Sequence, residues 1–190
     1  MKLYDEILAY EPYNEQEHRD RTAMLSCIEA ASDVLTRTNE IAHFTASAWI
    51  LNKEHSKILM IHHNIYNSWS WTGGHADGEE DLCAVAVREA KEETGVQNVK
   101  LLKDGIFSIE IMTVDGHEKR QRYIPSHLHL NATYLLEADE AEALLIKSDE
   151  NSGVRWFALE EAVTASSELW MRERIYRKLN QKCEGYFYTI

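Results

Sequence analysis

Proline, glycine and cysteine are all scarce in this chain of 190 residues. Two prolines and eight glycines exclude collagen-like and low-complexity classes, because those classes need these residues in bulk. The three cysteines form neither a CxxC pair nor a zinc-binding spacing with histidine, which predicts free thiols in a reducing compartment. They are Cys27, Cys83 and Cys183. With 44% hydrophobic residues, the chain can bury a sizeable core.

Basic residues are also in deficit, with 20 Lys and Arg against 32 Asp and Glu. The formal charge of -12 predicts no nucleic-acid partner, since binding to phosphate backbones depends on clustered cations. An anionic substrate would need a metal cation between it and the protein. No run is apolar enough to span a bilayer, and the first twenty residues lack the apolar segment of a signal peptide. We therefore expect a cytoplasmic protein without a membrane partner.

Hydrophobic periodicity divides the chain into three parts. Residues 1–40 have apolar side chains at helical spacing, which predicts an N-terminal helical extension for packing or for a homodimer. Residues 41–165 alternate strands with one central helix, which predicts a single α/β layered domain. Within it, "ALLIK" is expected to end a helix and "VRWFALEEAV" to form a strand and a helix start. Residues 166–190 predict a basic amphipathic helix and tail. The apolar positions of the first part are Leu25, Ile28, Ala31 and Leu35.

The central helix is predicted from its end signals. Asp77 is expected to cap its N-terminus, and Gly95 stands where a left-handed residue ends a helix. This gives about four to five turns. Leu82 and Val85 lie beside the acidic side of this helix, so its carboxylates are expected to face protein rather than open water. The predicted apolar face consists of Cys83, Ala86, Val87 and Ala90.

Three glutamates, Glu89, Glu92 and Glu93, fall within about 100° of this helix. Like charges at this spacing repel, so a counter-charge is expected. A lysine would supply one charge, but carboxylates with water suit Mg²⁺ or Mn²⁺ better. Arg88 could orient Glu92 by an ion pair, and Gly73 could offer a carbonyl ligand. A solvated acidic face is the alternative interpretation.

These residues carry a family resemblance. Gly74, five residues, Glu80, seven residues and then the segment "REAKEETGV" at 88–96 resemble the Nudix box, GX5EX7REUXEEXGU, at every fixed position. Ala90 is a minor departure from the motif, because a bulkier aliphatic residue is usual at this position. The resemblance covers residues 41–165 and implies an α/β/α sandwich on a mixed β-sheet. It also implies metal-binding roles for Gly73, Glu80, Glu89, Glu92 and Glu93.

The resemblance implies hydrolysis of a nucleoside diphosphate linked to another group. Metal ions can neutralise a diphosphate and lower the pKa of water, so the protein supplies mainly positioning and a general base. Glu89 is one candidate base, and Glu150 or Asp149 is the other. Nucleotide-sugars, dinucleotides and modified nucleoside triphosphates all remain candidate substrates. A non-catalytic Nudix-fold nucleotide sensor is the alternative function. A diphosphate isomerase is a further enzyme alternative, but the sequence lacks a distinctive cysteine and glutamate pair for it.

Aromatic and histidine residues outside the box suggest substrate contacts. Trp69 or Trp71 could stack on a base, although core packing explains them equally well. His127, His129 and Asn131 share one strand face, which could line a cavity or face solvent. We expect the two histidines to contact the substrate rather than a permanently bound metal, since no cysteine lies near them in sequence. His75 could approach the same site.

Overall fold

The structure is a computed structural model that describes residues 2–119 and 121–188. The first residue of the predicted N-terminal extension and the last two of the predicted tail lie outside these ranges. The helices are α1 (Lys2–Ala9), α2 (Glu15–Ala30), α3 (Leu82–Thr94), α4 (Leu159–Ala165) and α5 (Arg177–Tyr188), with a π-helical segment, Met171–Tyr176, before α5. The strands are β1 (Ala42–Leu51), β2 (Lys57–His63), β3 (Ser68–Ser70), β4 (Thr72–His75), β5 (Val99–Leu101), β6 (Ser108–Val114), β7 (His117–Lys119), β8 (Arg122–Ile124), β9 (His127–Ala138) and β10 (Asn151–Ala158).

The predicted α/β class is confirmed, with strands before and after α3 and helices towards both ends of the chain. Strand β1 pairs antiparallel with β2, and β6 pairs antiparallel with β9. The helix end expected at "ALLIK" is wrong, because this segment has no helix and a three-residue turn leads from it to β10. The three cysteines are free thiols, as expected. In the described part of the chain, every helix is too short or too polar to cross a bilayer.

The chain divides into two compact units. The first unit comprises the described residues of Met1–Ser47 together with Gly73–Ala86 and Asp104–Tyr134. Here β9 lies beside the first part of β1, β4 pairs with β1, and α2 packs on β6. Its apolar core is closed by Leu3 and Ile7 of α1, which are fully buried.

A buried polar network also fills this first unit. Asn131 accepts hydrogen bonds from the Thr45 and Ser47 hydroxyls, both at 2.9 Å, and donates one to Glu110 at 3.1 Å. Asn131 is fully buried, so it joins strands rather than lining an open cavity. Glu17 of α2 accepts from Ser108 at 2.7 Å and is fully buried as well. Hydrogen bonds of this kind offset the cost of burying polar groups.

The network explains why the apolar pattern of residues 1–40 does not identify the buried face of α2. The side chains that α2 buries are Glu17 and Met24, whereas Leu25 and Ile28 are half-buried. Periodicity of apolar residues cannot locate a helix face whose contact is partly polar. The helix ends at Ala30, and Ala31 and Leu35 therefore lie beyond it.

The second unit comprises Ala48–Thr72, Val87–Lys103 and Leu135–Ile190, as far as these residues are described. Here β2 pairs antiparallel with β1, β3 and β10, and β5 pairs with the end of β9. Trp49 stacks on Tyr176 with ring centroids 5.2 Å apart, and both side chains are fully buried. Helix α4 packs on β10 and β2. The loop that separates β9 from β10 belongs to the same unit as the glutamates of α3.

Gly73 of β4 lies close to β1. A Cβ atom at this position would stand 2.6 Å from the backbone oxygen of Ala46 and 2.6 Å from the Ser47 hydroxyl oxygen. A backbone oxygen in a paired strand cannot move aside easily. This contact therefore requires glycine at position 73.

We expect Gly73→Ala to lower the free energy of unfolding by about 1–3 kcal/mol, the usual cost of overpacking. Urea denaturation would measure it. Gly185→Ala is the matched control, because Gly185 lies in α5 and an added Cβ would meet nothing within 4 Å. The free energy of unfolding of this control should rise by about 0.5–1 kcal/mol, because alanine has a higher helix propensity than glycine. Equal stability of Gly73→Ala and the wild type would contradict the close approach of the two strands.

Candidate active site

Helix α3 begins at Leu82, later than predicted. The Asp81 carboxylate accepts the Ala84 N–H at 3.0 Å and so caps the helix. Asp77 is not the cap: it has a positive φ of 48° and pairs with Arg37 through two hydrogen bonds of 2.8 and 2.7 Å. The predicted C-terminus is confirmed, since Gly95 has φ +83°. The helix has 13 residues, or about three and a half turns, which is shorter than expected.

The face that α3 buries differs in part from the predicted one. Cys83 and Val87 are only half-buried. The expectation that carboxylates on this helix face protein is confirmed for Glu93, whose side chain is 3% exposed. The fully buried apolar side chains are Leu82, Val85, Ala86 and Ala90.

The three glutamates of the helix differ in environment. Glu93 is buried, and its backbone oxygen accepts a hydrogen bond from Asn151 at 2.9 Å. Glu89 is half-buried and Glu92 is exposed. The three glutamates therefore range from the protein interior to its surface.

Lys147 supplies one positive charge to this acidic group, although the sequence favoured a metal over a lysine as the counter-charge. Its Nζ lies 3.3 Å from Glu92 Oε2 and 2.9 Å from Glu150 Oε2. Burial lowers the pKa of Lys147, but its hydrogen bonds and the charges of Glu150 and Glu92 outweigh burial and raise this pKa. Lys147 is therefore a fixed cation that joins α3 to the loop before β10.

Glu89 has a raised pKa. Burial is the main cause, and the negative charges of Glu92 and Glu150 add to it, while Lys147 and Arg88 oppose it. A raised pKa makes the ionised carboxylate a stronger base.

The structure separates the two candidate bases before β10. Glu150 joins Glu89 and Lys147 in one cluster, whereas Asp149 is exposed. Arg88 also acts within this cluster, because its charge lowers the pKa of Glu89. The ion pair that Glu92 makes with Lys147 was missed by sequence reasoning, since the two residues are 55 positions apart.

Gly73 and Glu80 belong to the first unit. Glu80 is exposed in the loop before α3, where its backbone oxygen accepts the Leu82 N–H at 3.2 Å. The metal-binding roles of Gly73 and Glu80 stay predictions from the resemblance.

The two tryptophans occupy different environments. Trp71 is 8% exposed and lies edge-on to Tyr176 with centroids 5.7 Å apart. Trp69 is half-buried and contacts Phe157 and His62 at centroid distances of 4.8 and 5.3 Å. Of the two tryptophans, Trp69 is the more exposed.

His127 and His129 lie in the first unit, and the structure brings His43 and His75 to them. Burial lowers the pKa of His129 to about 2, and the charges of His75 and His43 contribute. Sequence alternation found His127 and His129, because they share a strand, but it gave no signal for His43.

The chain is similar in sequence and in fold to known proteins. A family model described as the NUDIX domain matches residues 42–179. The chain is 30% identical over 104 residues to bis(5'-nucleosyl)-tetraphosphatase [asymmetrical] of Mus musculus. This match covers 54% of this chain and 60% of that protein. It is 28% identical over 109 residues to a probable DHNTP pyrophosphohydrolase of Lactococcus lactis. This match covers 57% of this chain and 62% of that protein. The matches thus span less than two thirds of these relatives.

Solved structures show the same fold. An Ap4A hydrolase binary complex of C. elegans has a TM-score of 0.51 at 21% identity, covering 75% of this chain and 98% of that one. The dihydroneopterin triphosphate pyrophosphohydrolase of E. coli has a TM-score of 0.55 at 13% identity, covering 73% of this chain and 95% of that one.

We expect Glu89→Gln to raise the free energy of unfolding by a few tenths of a kcal/mol at pH 7–8 without divalent cations, since it removes like-charge repulsion on α3. The raised pKa fixes the sign: the ionised form is disfavoured in the folded state, so the cost exists above that pKa and vanishes as pH falls below the usual glutamate range. Urea denaturation between pH 4 and 8 would show a gain that disappears in acid.

Glu142→Gln is the control of opposite sign. The Gln97 N–H lowers the pKa of Glu142, so this substitution should reduce stability at neutral pH and lose its effect in acid. A Glu89→Gln variant that is less stable than the wild type at neutral pH would contradict the assigned electrostatics.

Proposed function

Because this chain belongs to the NUDIX domain family, we propose that it hydrolyses the diphosphate linkage of a nucleoside diphosphate joined to another group. The observation that carries this proposal is the cluster of Glu89, Glu92 and Glu150 around Lys147, with Glu93 buried on the same helix. A solvated acidic face would not hold one carboxylate buried and another at a raised pKa.

The donor chemistry fits Mg²⁺ or Mn²⁺, which take carboxylate and water oxygens. Glu89 and Glu92 of this cluster, together with Glu93 of the same helix, would hold the ion. A divalent ion there would neutralise diphosphate charge and lower the pKa of a water molecule. The remaining work falls to the protein: Lys147 holds Glu92 and Glu150 in place, and a carboxylate accepts the proton of the attacking water.

The substrate class is a nucleotide with a further group on its diphosphate. The names of the relatives point to a dinucleoside tetraphosphate and to a pterin triphosphate, and both contain a phosphoanhydride chain joined to a flat heterocycle. Trp69 is the half-exposed aromatic side chain that we propose for stacking on such a ring.

A substrate panel with Mg²⁺ tests the activity. Dinucleoside polyphosphates, nucleotide-sugars, modified nucleoside triphosphates and a pterin triphosphate would each be assayed for phosphate released after coupling to a phosphatase. We expect Glu93→Gln to reduce turnover of the active substrate at least about a hundredfold with the fold retained. Glu161→Gln is the matched control, since Glu161 is exposed in α4 and pairs with Arg155. Wild-type turnover by Glu93→Gln at saturating Mg²⁺ would overturn the assignment, and nucleotide binding without turnover by the wild type would identify a sensor.

A second comparison tests the general base. We expect Glu150→Gln to lower kcat by about 10²–10⁴-fold and to remove the acidic limb of the pH profile, as loss of a general base does. Asp149→Asn should keep wild-type kcat, because Asp149 is exposed outside the cluster. Full activity of Glu150→Gln together with complete loss in Glu89→Gln would assign the proton transfer to Glu89 instead.

A further inference from the structure

Four histidines meet in the first unit. His43 lies on β1, His75 ends β4, and His127 and His129 lie on β9. One ligand atom from each of His43, His75 and His129 lies within 4.8 Å of the others. His127 completes the group, with its Nε2 3.2 Å from Nε2 of His129 and its ring stacked on His43 at 4.8 Å.

Backbone carbonyls fix two of these imidazoles. His43 Nδ1 lies 2.9 Å from the Asn39 oxygen, and His127 Nδ1 lies 2.8 Å from the Pro125 oxygen. A carbonyl oxygen can only accept, so each Nδ1 carries the proton and each Nε2 carries a lone pair. Metal-binding histidines are held in this way, through the ring nitrogen that does not bind the metal.

The lone pair of His43 is the decisive feature. His43 is 4% exposed, and its buried Nε2 has no hydrogen-bond partner among the described residues. A buried acceptor left without a partner is costly and uncommon in native proteins. A cation at this position would use the lone pair that the protein leaves unsatisfied.

We propose that His43, His75 and His129 form a site for one divalent transition-metal ion of the zinc class. Neutral imidazoles suit Zn²⁺, Co²⁺, Ni²⁺ and Cu²⁺, whereas Mg²⁺ prefers oxygen ligands. Tetrahedral Zn–N bonds of about 2.0–2.1 Å place the nitrogens about 3.3 Å apart, so modest rotations of the side chains close the observed spacing. Three protein ligands leave a fourth position for water or an anionic oxygen.

This site replaces the direct substrate contact predicted for His129 from the sequence alone. The alternation on β9 suggested only two imidazoles, and two are too few for a zinc site. Adding His43 and His75 supplies the missing ligands, and His127 stays beside them as a positioning residue through its contact with His129.

Calorimetric titration with ZnCl₂ tests the proposal. The protein would first be stripped with a chelator and then kept in excess Mg²⁺, which occupies oxygen sites. We expect one Zn²⁺ per chain, with affinity reduced at least about a hundredfold in His43→Ala and in His129→Ala. His18→Ala is the control, since His18 is exposed on α2 of the same unit, and it should bind as the wild type does. Bound Co²⁺ should give the strong visible absorption of a four-coordinate ion.

His75→Asn keeps the test decisive if the buried His43 variant fails to fold, because His75 is only half-buried. Unchanged zinc affinity in His75→Asn and His129→Ala would overturn the site. Absence of zinc binding, with a raised KM in the His127→Ala, His129→Ala double variant, would also overturn it and restore direct substrate contact.

Discussion

The ion pairs of Lys147 with Glu92 and Glu150 are the interaction on which the proposed chemistry depends. Helix periodicity alone brings Glu89, Glu92 and Glu93 together, but it also makes them repel. Lys147 reduces that repulsion and brings Glu150 with it, because the two residues are three positions apart. The course of the loop before β10 therefore sets the charge balance of the cluster and adds the Glu150 carboxylate to it.

Local sequence signals predicted much of this arrangement. The spacing of the glutamates and Gly95 correctly placed the helix and its end, because glycine is strongly favoured at a positive φ. The predicted cap was wrong because Asp77 and Asp81 both suit the role by residue type. Only the structure shows that Asp77 has a left-handed backbone and pairs with Arg37, which leaves Asp81 to begin α3.

Contacts between residues far apart in the sequence could not be predicted. Lys147 and His43 each act with residues on other elements, and their partners depend on strand register and on the path of a loop. Periodicity relates only side chains within one helix or strand, which is why it found His127 and His129 but not His43. Glu17 was missed for a related reason, since a buried carboxylate breaks the apolar pattern that marks a packed helix face.

The two proposed ligand sets of this chain would favour different cations. The carboxylates of α3 suit a hard ion with water ligands, whereas neutral imidazoles suit a softer ion. Excess Mg²⁺ would therefore leave the imidazoles available to a softer ion. The buried, unsatisfied Nε2 of His43 strengthens this distinction. Burying that lone pair without a partner lowers the stability of the metal-free protein. A bound transition metal would raise the free energy of unfolding by coordinating it.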